Sequence, residues 1–176
     1  MFDHKIQTDM EIKYIKSLVL LLFITVASCS TAQDKTQFSE KALADVMLDS
    51  KGEEITFHEI INQYKGKKVV IDIWASWCSD CIEGMPKVKE LQIEYPDAVY
   101  LFLSLDKNYE AWQRGVENHQ IEGEHYFISG GWKSDFNSSI DLDWIPRYIV
   151  IGADGKIQLF RATEASDKKL EKIIKA

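Results

Sequence analysis

The 176-residue chain predicts one α/β domain with a central mixed β-sheet flanked by helices and an extra strand and helix at its N-terminal side. Three patterns predict it. Residues 69–75 (Val-Val-Ile-Asp-Ile-Trp-Ala) and 99–105 (Val-Tyr-Leu-Phe-Leu-Ser-Leu) are almost continuously apolar, as strands buried on both faces require. Each run is followed by a segment of helical spacing, at 81–95 and at 110–118. Near the end, strands 147–151 and 156–160 flank the turn Ala153-Asp154-Gly155 and read as a hairpin.

Residues 1–28 stand apart. Lys13 and Lys16 precede a ten-residue apolar run, 18–27, too short to span a bilayer of about 30 Å. A charged start, a short apolar middle and small residues at the end form a signal-peptide pattern, and Met10 is an alternative start. Its last residues, Val26-Ala27-Ser28-Cys29, resemble the lipobox of bacterial lipoproteins. That resemblance implies cleavage before Cys29 and attachment of a diacylglycerol to its sulfur, which anchors the chain to a membrane. Ser30, rather than Asp, then favours the outer membrane. The alternative is an ordinary signal peptide with an incidental Cys. The chain has three cysteines, and a lipidated Cys29 leaves Cys78 and Cys81 as the remaining pair.

Residues 29–37 read as a flexible tether and 38–176 as the domain. In the extension, Val46-Met47-Leu48 and Ile55-Thr56-Phe57 look like short strands around a turn at 50–52, followed by a helix over 58–64. In the helix over 81–95, Ile82, Met85, Val88, Leu91 and Ile93 carry the apolar spacing; in that over 110–118, Ala111, Trp112 and Val116 face inward. His125 to Ile128 reads as a strand and 130–144 as irregular or partly helical. A helix over 166–175, with Ser166 as its N-cap, closes the chain. The order predicts parallel early strands and an antiparallel late hairpin.

Hydrophobic residues make up 45% and charged residues 28%, enough to bury a core and too apolar for disorder. The net charge is −7, and no basic cluster stands against it, so nucleic acid is not an expected partner. The leader's three basic and three acidic residues cancel, leaving the mature charge unchanged.

The chemistry-bearing stretch is Asp72-Ile73-Trp74-Ala75-Ser76-Trp77-Cys78-Ser79-Asp80-Cys81-Ile82-Glu83-Gly84-Met85-Pro86. It leaves a buried strand and enters a helix with two cysteines at the junction. Cysteines three apart across a first helical turn come close enough to bridge. Cys78 lies where unpaired N–H groups and the positive helix end favour a thiolate, the attacking species in disulfide exchange. Cys81, one turn in, is placed to resolve a mixed disulfide. A zinc site would need four ligands; there is no second Cys pair, and His58, His119 and His125 lack the spacing. A purely structural disulfide is the other bland reading.

This stretch resembles thioredoxins: Asp72, Trp74, Ala75, Trp77, both Cys and Pro86 fall where that family has them. The family's second landmark, a cis-proline facing the cysteines, corresponds to Ile145-Pro146 ahead of Tyr148-Ile149-Val150-Ile151. The resemblance covers Phe38 to the C-terminus. Its closest branch is the membrane-anchored TlpA-like envelope reductases, on the export signal, the N-terminal extension and the Ile-Pro-x-x-Ile-Val-Ile ending. One departure is Gly84, where many members have Glu.

The resemblance implies a thioredoxin fold and a thiol–disulfide oxidoreductase that uses no cofactor. It implies Cys78 as nucleophile, Cys81 as resolving thiol and Asp72 as the base exchanging a proton with Cys81. The other reading of Asp72 is an edge-exposed carboxylate without a role. Trp77 would be an exposed substrate platform, and Ile145, beside Pro146, would offer its backbone to the substrate chain. Trp74 and Trp77 are equally readable as packing residues. Trp132 and Trp144 either line a groove or pack in the core. Asp80 suits the helix dipole, and its charge near Cys78 would also make the pair more reducing.

The expected partners are disulfide-containing exported proteins and a membrane thiol electron donor, in a periplasm-facing, lipid-anchored setting. A thioredoxin-fold binding module or chaperone is the alternative, and a thiol peroxidase ranks behind it.

Overall fold

The computed structural model describes residues 35–176. The export segment and Cys29 lie outside the described residues.

Helix α1 (Glu40–Ala44) is capped by Ser39 and runs into strand β1 (Val46–Leu48). Strand β2 (Glu54–Thr56) pairs with β1 antiparallel, with Met47 opposite Ile55. Helix α2 (Phe57–Asn62) begins one residue after β2, so Phe57 is helical rather than the end of a strand. The reason is local: Thr56 and Glu59 form a reciprocal capping box that satisfies the first orphan donors.

The central strands follow the expected course. Strand β3 (Val69–Trp74) is buried along its whole length, and β4 (Val99–Ser104) is buried at all but its first residue. Helix α3 (Ser79–Glu94) connects them, and α4 (Tyr109–His119) connects β4 to β5 (Glu124–Phe127). A 3-10 turn (Gly131–Lys133) and helix α5 (Asp135–Ser139) fill the segment read as irregular or partly helical. Strands β6 (Arg147–Ile151) and β7 (Ile157–Ala162) form the hairpin, and α6 (Lys168–Lys175) ends the chain. Its N-cap is Asp167, whose carboxylate accepts from the Lys169 N–H, not Ser166.

The seven strands form one sheet in the order β2-β1-β5-β4-β3-β6-β7. Strands β3, β4 and β5 are parallel; β6 runs antiparallel to β3, and β7 to β6. The mixed sheet is the one the element order predicts, and the extension adds β1 and β2 beyond β5. On α3, Cys81, Met85, Val88 and Leu91 are buried, whereas Ile93 is 82% exposed and falls off the core face. On α4 the buried pair is Trp112 and Gly115; Ala111 and Val116 lie at the margin. Phe38, Phe57 and Phe136 pack ring against ring and tie α5 to the extension. Residues at the end of the predicted tether are held too: the Thr36 carbonyl accepts from the Ile157 N–H at 2.9 Å, and Lys35 reaches Asp141 at 2.7 Å.

Candidate active site

The site grows from the carboxyl end of β3. The chain leaves the sheet at Ala75, turns through Ser76 and Trp77, and enters α3 with Cys78 as its N-cap. Cys78 and Cys81 are joined by a disulfide, their Cα atoms 5.3 Å apart. The Cys81 N–H points at the Cys78 sulfur at 3.2 Å. A backbone donor aimed at a sulfur beside the helix's positive end is the arrangement that stabilises a thiolate there once the bond is reduced. The two sulfurs differ in access: Cys78 is 7% exposed and Cys81 fully buried.

Asp106, at the end of β4, holds this turn. Its carboxylate accepts from the Ser76 N–H, from the Ser76 hydroxyl at 2.6 Å and from the Ser104 hydroxyl at 2.8 Å. From the other side α4 comes so close at Gly115 that a Cβ there would stand 2.5 Å from that of Ser76.

The Ile145–Pro146 bond is cis, as the resemblance implies, and the Ile145 carbonyl lies 3.7 Å from the Cys78 sulfur. The strand that follows begins with Arg147, which is buried and ion-paired to Asp143; Asp143 is also paired to Arg161 at 2.6 Å. Arg161 and then Arg147 hold the Asp143 carboxyl below its ordinary range. This clamp spans the proline turn.

A cleft of about 470 Å³ opens beside the disulfide, lined by Trp77, Cys78, Ser79, Asp80, Trp132, Asp143, Trp144 and Ile145. Trp77 is 51%, Trp132 42% and Trp144 60% exposed. All three are therefore wall residues rather than core, while Trp74 is fully buried. Only Cys78 of the pair reaches the cleft.

Asp72 is not an edge carboxylate. It lies in β3 between Phe102 of β4 and Tyr148 of β6, with 2% exposure. Burial pushes its carboxyl up to about 8, and the neighbouring Tyr148 hydroxyl partly offsets the rise. That hydroxyl stands outside hydrogen-bonding geometry, so both Asp72 oxygens and the Tyr148 hydroxyl lack a partner. Cys81 and Gly84, one turn apart on α3, share the helix face over this pair, since Gly84 sits directly above the Tyr148 hydroxyl. Among the described residues, no three His, Cys, Asp or Glu side chains cluster as a metal would need.

The sequence reading placed both cysteines, Asp72, Trp77, Ile145 and Pro146, and the structure brings them to one end of the sheet. It missed Asp106, the Asp143–Arg147–Arg161 clamp and Tyr148. A lone Asp just after an apolar strand was the only available signal for Asp106, and Arg opening such a strand the only one for Arg147.

Comparison with known proteins agrees with this geometry. The Redoxin family matches residues 31–174. A thiol-disulfide oxidoreductase ResA of Bacillus cereus is 30% identical over 142 residues, covering 79% of this chain and 78% of that protein. The ResA of Bacillus thuringiensis subsp. konkukian is 24% identical, covering 82% and 81%. The thioredoxin domain of a thiol-disulfide oxidoreductase from Bacteroides vulgatus superposes with a TM-score of 0.63 at 21% identity, covering 78% of this chain and 95% of that one.

Proposed function

The chain belongs to the Redoxin family and is a thioredoxin-like thiol–disulfide oxidoreductase, and from that premise we propose that it reduces disulfides of exported proteins through the Cys78–Cys81 couple. The observation that carries this reading is the unequal exposure of the two sulfurs beside an aromatic cleft. The Cys78 thiolate attacks one sulfur of a substrate disulfide, whose other sulfur leaves as a thiolate. Cys81 then gives its proton to Asp72 and attacks the Cys78 sulfur, and the second substrate sulfur leaves as a thiolate; both substrate thiolates take their protons from water. The substrate gains two electrons and two protons, and the protein is left with the disulfide seen in the structure.

Trp77, Trp132 and Trp144 give the substrate chain an apolar wall, and the Ile145 backbone lies where an extended peptide would align beside Cys78. Asp80 lines the same cleft, and its charge opposes a Cys78 thiolate, which favours a reducing pair. A reduction potential in the range of strong oxidants would contradict that direction.

In an oxidising envelope the pair must be re-reduced, and a membrane thiol donor is the partner this requires. The Val26-Ala27-Ser28-Cys29 ending supports a lipid anchor on Cys29 facing the periplasm, with the outer membrane favoured. Cys29→Ala that stays with the membrane fraction would contradict the anchor. The enzymatic test is reduction of insulin disulfides by the thiol-loaded protein. Cys78→Ser is expected to lose activity by at least about a hundredfold; retained turnover in that variant overturns the reading.

A further inference from the structure

Asp72 and Tyr148 are two buried polar side chains, directly opposite each other on β3 and β6, and neither has a hydrogen-bond partner. Buried polar groups are rarely left unpaired, and here one is a donor and the other an acceptor. Directly opposite residues leave the same face of a sheet, so each is within reach of the other. No other charged group weighs on either one: burial and Tyr148 account for Asp72, and burial and Asp72 for Tyr148.

The Tyr148 hydroxyl is itself buried, and it lies under Gly84 of α3. A Cβ on Gly84 would stand 3.5 Å from it and 3.9 Å from the Ala165 Cβ, so the helix roofs the hydroxyl with backbone at this position. Gly84 and Ala165 line a second cleft, separate from the aromatic one over most of its wall, with Asp80, Glu83, Lys87 and Glu164 as its charged groups. The buried carboxyl therefore has one polar neighbour, and that neighbour lies beneath the Gly84 turn of the helix that roofs it.

We propose that Tyr148 is a positioning residue for the proton of Asp72: its hydroxyl donates to the ionised Asp72 carboxylate and so sets how readily that carboxylate re-forms. This rests on the reading that Asp72 exchanges a proton with Cys81. When Cys81 delivers its proton, Asp72 becomes neutral; when the proton is passed on, the carboxylate re-forms and a small rotation lets the hydroxyl donate to it. No electron moves in this step. The proton passes from the Cys81 sulfur to an Asp72 oxygen and on to water.

Two measurements test the proposal on the full chain. The first follows the Asp72 carboxyl by carbon NMR in the oxidised protein, where neither cysteine of the pair titrates. Tyr148→Phe keeps the ring and removes the hydroxyl, and the Asp72 midpoint is expected to rise by about one unit or more, the worth of a hydrogen bond to a charge. The second uses an aromatic disulfide reagent whose released thiol is coloured: the first release reports attack by Cys78, the second resolution by Cys81. Tyr148→Phe is expected to slow the second phase about tenfold at neutral pH, leave the first unchanged, and add nothing in an Asp72→Asn background.

An unmoved midpoint, or a full slowing that persists in the Asp72→Asn background, overturns the role of Tyr148 alone. Resolution at the parental rate in Asp72→Asn overturns the underlying role of Asp72, and this inference with it.

Discussion

Asp72 is flanked in β3 by Ile71 and Ile73, both fully buried, and the strand supplies no compensating donor. The chain thus encloses a carboxyl that is neutral over much of the physiological range, and the cost falls on stability. In the unfolded chain Asp72 ionises near 3.8; in the folded protein it holds its proton up to about 8. The folded state therefore binds more protons between those values. The contribution of Asp72 to stability is greatest below the lower one, falls as pH rises through the window and levels off above it. Asp72→Asn, which cannot ionise, is expected to lose this dependence. Denaturant unfolding should find it more stable than the parent at pH 9 by about 2 kcal/mol or more, with the difference shrinking towards pH 4. A difference between parent and Asp72→Asn that stays constant from pH 4 to 9 would contradict the burial of this group. The same reasoning explains why Asp72 could be singled out from sequence: a carboxylate inside an apolar run must be either paired or neutral.

At the scale of elements, the turn between β3 and α3 is held from both sides, by Asp106 and by the close approach of Gly115. Asp106→Ala leaves the Ser76 amide and the hydroxyls of Ser76 and Ser104 without their acceptor. Urea unfolding should show a loss of about 2–4 kcal/mol, and insulin reduction should fall because the turn carrying Trp77 and Cys78 is no longer fixed. A loss under about 0.5 kcal/mol would show that the carboxylate does not brace the turn.

These braces mark where sequence reading stopped. Strands β3, β4 and β6 were legible because continuous apolar runs have one stable place, in the middle of a covered sheet. Helix α1 was not, since five residues behind a Ser cap give no periodicity to read. Phe57 carries strand propensity, and the capping box of Thr56 and Glu59 overrides it. The 130–144 segment takes its shape from Phe136 against Phe38 and Phe57, contacts made by residues far away in the chain. The Cys78–Cys81 motif was legible because it is local. Asp106 and Tyr148 were not, because each acts across the sheet on a partner that no short window contains; Arg147 was not, because its partner Asp143 is four residues away across the proline turn, where that spacing signals no ion pair.

At the scale of the molecule, the mixed sheet sets the site's position. Parallel β3 and β4 end on one side, and the antiparallel β6 starts there, so Cys78, Asp106 and Ile145 meet at one edge. Strands β1 and β2 of the N-terminal extension lie at the far end of the same sheet, beyond β5. The result is one cysteine, Cys78, on the wall of a cleft with three exposed tryptophans, and its partner Cys81 enclosed away from that cleft.

The claim that Cys78 attacks and Cys81 resolves is tested most directly by covalent trapping, with Cys29 replaced by Ser so that its sulfur cannot compete. The account predicts that Cys81→Ala, left with Cys78 as its only thiol, retains an insulin chain as a mixed disulfide visible by non-reducing mass spectrometry, while Cys78→Ala retains none. An adduct on Cys81 formed as readily as on Cys78, or no adduct on either, would contradict it.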